Sequence, residues 1–290
     1  MREWSFEDDE MSETLHRHVA ELLEAGRRCA MVTIIETKGS TPRTAGAKMV
    51  VTEEGEVFGT VGGGCVEADM FALAKEALET REILTRVIDL SAKSPDVLDM
   101  FCGGRVTVLV EPLEATPHLV IFGGGHISQA LHRLCGPLGF RITVTDDRTH
   151  FANEQRFPGA EVLACPFEQQ LQHLSLTPAS CMVIVTRGHE ADELVLRQVL
   201  GQPFRFLGLI GSRAKWKRIR ANLARDGFSE EQLARVVCPI GLDIWAETPE
   251  EIAVAVAAQL IRLKNADSPR ASRHRRAAQK TSQESSASLD

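Results

Sequence analysis

Tyrosine is missing from all 290 residues, so nothing in this chain can rest on a phenol. Long apolar runs are missing too. None approaches the roughly twenty residues a membrane helix needs, and the acidic N-terminus MREWSFEDDE lacks the basic and apolar regions of a signal peptide. There is no broad basic field. Lys and Arg number 33 against 40 Asp and Glu, a formal charge of −7, which argues against a nucleic-acid surface. No C-x-x-C pair and no H-E-x-x-H stretch occurs, which argues against a structural zinc site. The seven cysteines, Cys29, Cys65, Cys102, Cys135, Cys165, Cys181 and Cys238, are odd in number and widely scattered, unlike a secreted disulfide framework. Together these absences point to a cytoplasmic protein with no membrane and no nucleic-acid partner.

What is present divides in two. Residues 1–115 read as a mixed α+β unit, 116–264 as a Rossmann-like doubly wound parallel sheet, and 265–290 as a disordered polar tail without apolar period. In the first part, Leu15, Val19, Leu22 and Leu23 stripe a helix over Met11 to Ala25 that Gly26 closes. Strands are expected at Ala30 to Ile35, Lys48 to Thr52, Glu56 to Thr60, Glu82 to Leu90 and Arg105 to Glu111, with Pro112 to Pro117 as the linker. The second part alternates strands and helices, six strands in all: after the first two come Glu161 to Ala164, Met182 to Thr186, Phe206 to Ile210 and Val236 to Pro239, with helices at about Asp192 to Leu200, Arg213 to Asp226 and Pro249 to Leu263.

The second part opens on LVIFGGGHISQALHRLCGPLGFRITVTDD, Leu119 to Asp147. Four apolar residues are followed by Gly123, Gly124 and Gly125, a helical stripe, a second apolar run and the acids Asp146 and Asp147. Strand, glycine turn, helix, strand, acid is the order of a dinucleotide-binding unit. Gly123 permits the tight turn, Gly125 allows a phosphate to approach the helix start, and Ser128 replaces the third glycine. Asp146 is placed to accept from ribose hydroxyls, favouring NAD over NADP, a preference that Arg148 weakens. His126 begins the helix and suits a phosphate contact. Further along, Arg187 and His189 follow the fourth strand, and Gly211, Ser212 and Arg213 form another anion-friendly helix start.

A second glycine cluster lies in the first part, Gly62, Gly63 and Gly64, followed by Cys65 in the first turn of a helix. A thiol there has its thiolate favoured, so Cys65 is the candidate nucleophile or metal contact, against the alternative of a small buried hydrophobe. The loop GSTPRTAG offers Ser40 and Arg43 to an oxyanion. Cys102, between Phe101 and two glycines, lets backbone approach a ligand closely, although a packing role is favoured for its thiol.

These stretches carry a resemblance. GSTPRTAGAKMVV, GTVGGGCVEAD, VIFGGGHISQAL, VTDDR, ANEQRFPGAEV, VTRGHEADELVL, LGLIGSRAKW and CPIGLDIWAETPEEIAVAVAAQLI, in that order, closely resemble the XdhC/CoxI family, the accessory proteins of xanthine dehydrogenase and related molybdenum hydroxylases. The resemblance implies a maturation factor more than an enzyme. Such a factor binds the molybdenum cofactor (molybdopterin), protects it during exchange of an oxo for a sulfido ligand, and hands it to xanthine dehydrogenase or a related hydroxylase. It also implies a cysteine desulfurase as sulfur donor, and leaves a homodimer open. The competing reading is an NAD(P)-dependent oxidoreductase, for which the first part supplies no hydride-transfer constellation.

Overall fold

The computed structural model describes residues 6–90 and 104–266, apart from the side chains of residues 6–12 and of Cys65. The chain separates into two compact units, one within residues 6–115 and the other Thr116–Asn265. Among the described residues no helix is long and apolar enough to cross a membrane.

The first unit is one antiparallel sheet with a helix on each face. Its elements are α1 (Phe6–Glu24), β1 (Cys29–Lys38), β2 (Lys48–Thr52), β3 (Val57–Gly59), α2 (Gly64–Thr80), β4 (Leu84–Asp89) and β5 (Arg105–Leu113), with strand order β3-β2-β1-β5-β4. Alternation along β1 divides the two cores. Ala30, Val32 and Ile34 pack with Val66, Met70 and Ala74 of α2, while Cys29 and Met31 pack with Leu15, Val19 and Leu22 of α1. A register shift between Ile34 and Glu36 lets β1 run on to Lys38, three residues beyond the expected end, and delivers the chain into the Ser40–Arg43 loop. α1 begins earlier than expected, since the acids of its first turn favour a helix N-terminus.

The expected linker is shorter than Pro112 to Pro117. Pro112 belongs to β5, paired with Ala30. Beyond Val110 that strand has lost β4, so a ring without an N–H is tolerated on its open side.

The second unit is a doubly wound parallel sheet. It runs β6 (His118–Phe122), α3 (His126–Cys135), β7 (Arg141–Asp146), β8 (Glu161–Ala164), α4 (Phe167–Gln170), β9 (Cys181–Ile184), α5 (His189–Val199), β10 (Phe206–Leu209), α6 (Arg213–Arg225), α7 (Glu230–Ala234), β11 (Val236–Val237) and α8 (Pro249–Lys264). Every pairing is parallel, in the order β11-β10-β9-β6-β7-β8. Counted within the unit this is 3-2-1-4-5-6 read backwards, the Rossmann order, whose switch point lies between β6 and β9. β6 is buried on both faces. Leu119 and Ile121 meet α3 and α8, whereas Val120 and Phe122 meet α5 and α6. The short helices α4 and α7 are not expected from the sequence, and the expected strand Val236 to Pro239 pairs over only two residues. The tail from residue 267 lies outside the described residues.

Candidate functional site

Helix starts separate the candidate stretches into two kinds. α6, α7 and α8 are capped by their own Ser212, Ser229 and Thr248, the last two in full capping boxes. α2, α3 and α5 start at Gly63, Gly125 and Gly188 and have no side-chain cap. Their first amides are therefore the ones available to an external anion. Ser212 is a correction to the sequence reading: its hydroxyl accepts from Lys215 N at 3.2 Å, closing the helix start that Gly211 and Arg213 were expected to open. Arg213 is exposed.

In the first unit three separate stretches meet. Gly62, Gly63 and Gly64 all have positive φ, at 137°, 79° and 60°, which only glycine adopts freely in succession. A Cβ at Gly62 would strike Pro42 Cγ at 2.5 Å, so the Ser40–Arg43 loop lies directly on this turn. A Cβ at Gly104 would meet the Ser40 carbonyl oxygen at 2.4 Å, which brings the end of the Cys102 loop to the same place. Gly63 faces open space. Thr41 Oγ1 donates to the Arg43 carbonyl at 2.9 Å and sets the loop's turn. Ser40 is exposed, Arg43 is half-buried, and no side-chain partner of Arg43 occurs among the described residues. Cys65 is the second residue of α2 by its backbone. Its side chain, and the whole of Cys102, lie outside the described residues.

In the second unit the glycine turn is tightly enclosed. Gly123 N donates to the Thr145 carbonyl at 2.7 Å, and a Cβ there would meet the Val185 carbonyl oxygen at 2.5 Å. Ser128, in place of a third glycine, donates to the Gly123 carbonyl. Gly124 is covered by the Phe151 carbonyl, 2.6 Å from where a Cβ would stand. Gly125 alone faces open space, with His126 exposed beside it.

Asp146 also corrects the reading. Its carboxylate is 1 % exposed and turned inward. Oδ2 accepts from Gly124 N at 2.8 Å and Arg148 Nη2 at 3.0 Å, while Oδ1 accepts from Arg148 N at 3.0 Å and Nε at 2.8 Å. Burial raises its pKa, but these donors outweigh burial and hold it below the ordinary carboxylate range. The role expected toward ribose is taken by internal donors. Arg187, expected to face a ligand, instead forms a two-pronged pair with Asp147 at 2.8 and 2.7 Å. Those residues follow β9 and β7, on either side of β6, so the pair spans the glycine turn. His189 is exposed at the first residue of α5.

Sequence reading misses a second buried pair. Asp192, fully buried, accepts from Thr186 Oγ1 at 2.6 Å and pairs with Lys215, whose Nζ also donates to the Ile210 carbonyl at 3.1 Å. By sequence alone Lys215 joins Gly211, Ser212 and Arg213 in an anion-friendly helix start, or else falls in with Lys217, Arg218 and Arg220 as a solvated face. The hint lies in its place four residues after Gly211, whose missing side chain makes room for the lysine stem. Cys238 lies nearby, its thiol pushed up by burial. Burial pushes Cys135 to about 12 and Cys181 to about 11, as befits packing residues. Among the described residues no three His, Cys, Asp or Glu are grouped to hold a metal.

Residues 22–88 match the family model described as "XdhC and CoxI family", and residues 119–260 match the one described as "XdhC Rossmann domain". The chain belongs to the XdhC/CoxI family. Proteins similar to it include the Escherichia coli (strain K12) "Uncharacterized protein YqeB", 33% identical over 85% of this chain, which spans only 45% of YqeB's length. A Bacillus subtilis (strain 168) protein, described as a probable xanthine dehydrogenase subunit, is 24% identical over 86% of the chain and 97% of its own length. The Escherichia coli "Molybdenum cofactor insertion chaperone PaoD" is 28% identical over 85% and 87%. A solved structure from Bacillus halodurans, described as a xanthine dehydrogenase, aligns at 24% identity and TM-score 0.46 over 88% of this chain and 98% of that one. Each unit thus has its own candidate site, at Gly62–Gly64 in the first and at Gly125 in the second.

Proposed function

We propose that this XdhC/CoxI protein binds the molybdenum cofactor as cargo, protects it, supports its sulfuration and delivers it to xanthine dehydrogenase or a related molybdenum hydroxylase. The observation that carries this reading is the meeting of the Ser40–Arg43 loop, the Gly62–Gly64 turn and the Gly104 end of a third loop around the uncapped start of α2. The donor set fits the cargo. The cofactor is an anionic pterin phosphate with a dithiolene-held metal. Free helix-start amides, the Ser40 hydroxyl and the Arg43 guanidinium suit its phosphate or pterin oxygens. Open space over Gly63 leaves room for backbone approach. The thiol of Cys65, one residue into the helix, is the soft ligand that molybdenum or a transferred sulfur would prefer. When bound, the cofactor would supply the metal whose terminal ligand is exchanged; the chain's own residues bind, orient and shield it.

The names of PaoD and of the Bacillus subtilis relative support a molybdenum-enzyme client. A cysteine desulfurase is the sulfur donor this reading requires, and the cytoplasm is where it would operate. In the second unit, Gly125 and His126 at the open start of α3 form a separate anion contact.

The test is loading. The full chain is incubated with released molybdenum cofactor, desalted, and assayed for molybdenum and for pterin by fluorescence after oxidation. The wild type retains both in fixed ratio. Arg43→Ala, which leaves the turn's packing untouched, retains several-fold less. Equal retention by a folded Arg43→Ala protein places the cargo elsewhere, and no retention by the wild type rejects the reading.

A further inference from the structure

The Rossmann strand order implies an adenine dinucleotide, and the residues at the switch point do not fit one. In such folds the acid after the second strand receives the ribose hydroxyls, and the second glycine of the fingerprint, here Gly125, receives the pyrophosphate. Here the acid's place is filled by the segment that follows β7, whereas Gly125 stays open. An ionised carboxylate offers about four acceptor positions. All four on Asp146 are taken, one by Gly124 N and three by Arg148 through N, Nε and Nη2. The Arg148 guanidinium is in turn stacked 3.7 Å from the centre of the Phe151 ring. Phe151 presses its carbonyl on Gly124, and Arg156 Nη2 donates to the Gly124 carbonyl at 3.0 Å. Arg187, bound to Asp147 across the turn, closes the same side.

We propose that Arg148 is a specificity-determining residue: it holds the ribose-accepting carboxylate for itself and makes this Rossmann unit refuse NAD and NADP. The cost of opening the site explains the refusal. A ribose diol would have to displace a bidentate, buried, charge-assisted pair and offers only neutral donors in return. A 2′-phosphate gains nothing either, because Arg148, the cation beside that carboxylate, is already bound to Asp146. An anion arriving at Gly125 meets none of these obstacles, since that residue faces open space. The unit therefore retains a phosphate-compatible helix start and lacks the adenosine half of the site. This inference does not rest on the molybdenum reading and is tested without that cofactor.

The full chain is titrated with NADH and NADPH, followed by nicotinamide fluorescence and by calorimetry. The wild type shows no saturable binding below about 1 mM. Arg148→Ala and Arg148→Gln free two of the four acceptor positions while keeping the residue's backbone donor. Each folded variant should bind NADH at least about tenfold more tightly than the wild type. Adding Asp146→Asn to either should abolish that gain. Saturable micromolar binding by the wild type overturns the proposal, as do folded Arg148 variants that bind no better than it.

Discussion

Asp146, Gly124 and Arg148 are each visible in the sequence, yet their relation is not. Spacing marks an acid about twenty residues after a glycine turn. It does not say whether that acid faces outward to a ligand or inward to an arginine two residues on. The outcome depends on Phe151 and Arg156, which fold the intervening segment back over the turn. Close packing also separates neighbouring glycines that look alike in sequence. Gly124→Ala would push a methyl into the Phe151 carbonyl and should cost about 1–3 kcal/mol in chemical denaturation. Gly125→Ser enters open space at a helix start where serine is preferred, and should leave stability unchanged or slightly raised.

A third expectation concerns His118. Its Nε2 donates to Thr143 Oγ1 at 2.8 Å, and that hydroxyl donates onward to Glu161. Burial, helped by the charge of Arg141, lowers its pKa to about 4. The folded state thus prefers the neutral ring, and this contribution is fully present above the unfolded value of about 6.5. It is lost as pH falls from there toward 4, by at most about 3 kcal/mol. Melting curves of the wild type should drop across that window, and those of His118→Gln should drop less. Parallel profiles would remove His118 from the cause.

At the level of elements, the sequence is most informative where a period runs long. The expected strand Glu161 to Ala164 and the six-strand count of the parallel sheet match the structure, and α6 and α8 differ from expectation by one residue at one end. Helices of four or five residues escape. α4 and α7 are too short to complete a recognisable helical stripe, and α7 is announced only by the Ser229–Gln232 capping box. Pro112 misleads because proline marks linkers more often than strand ends. Helix caps yield a prediction of their own. Thr248→Ala removes the box that starts α8, the helix packed under β6, and should cost about 0.5–2 kcal/mol by denaturant titration. Cargo retention should be unaffected, because the start of α8 is capped and closed to ligand. A cap variant with unchanged stability would contradict the role given to that threonine.

As a whole molecule the chain carries two self-sufficient cores. One surrounds β1 and α2, and the other encloses β6 on both faces. A fragment of residues 116–266 should therefore melt cooperatively by itself; a non-cooperative transition would show that its core is incomplete. The family can be read from long motifs in fixed order. The candidate site is legible only as separate stretches, because nothing local in sequence tells that Pro42 will rest on Gly62 and Ser40 on Gly104. On the proposed function, this convergence holds the molybdenum cofactor with Cys65 at its metal end. The decisive test is reconstitution of a cofactor-free molybdenum hydroxylase by the loaded full chain in the presence of a cysteine desulfurase. The wild type and Cys135→Ser, whose thiol is a buried packing group, should restore hydroxylase activity. A folded Cys65→Ser should fail to do so, and full restoration by Cys65→Ser would overturn the role assigned to that thiol.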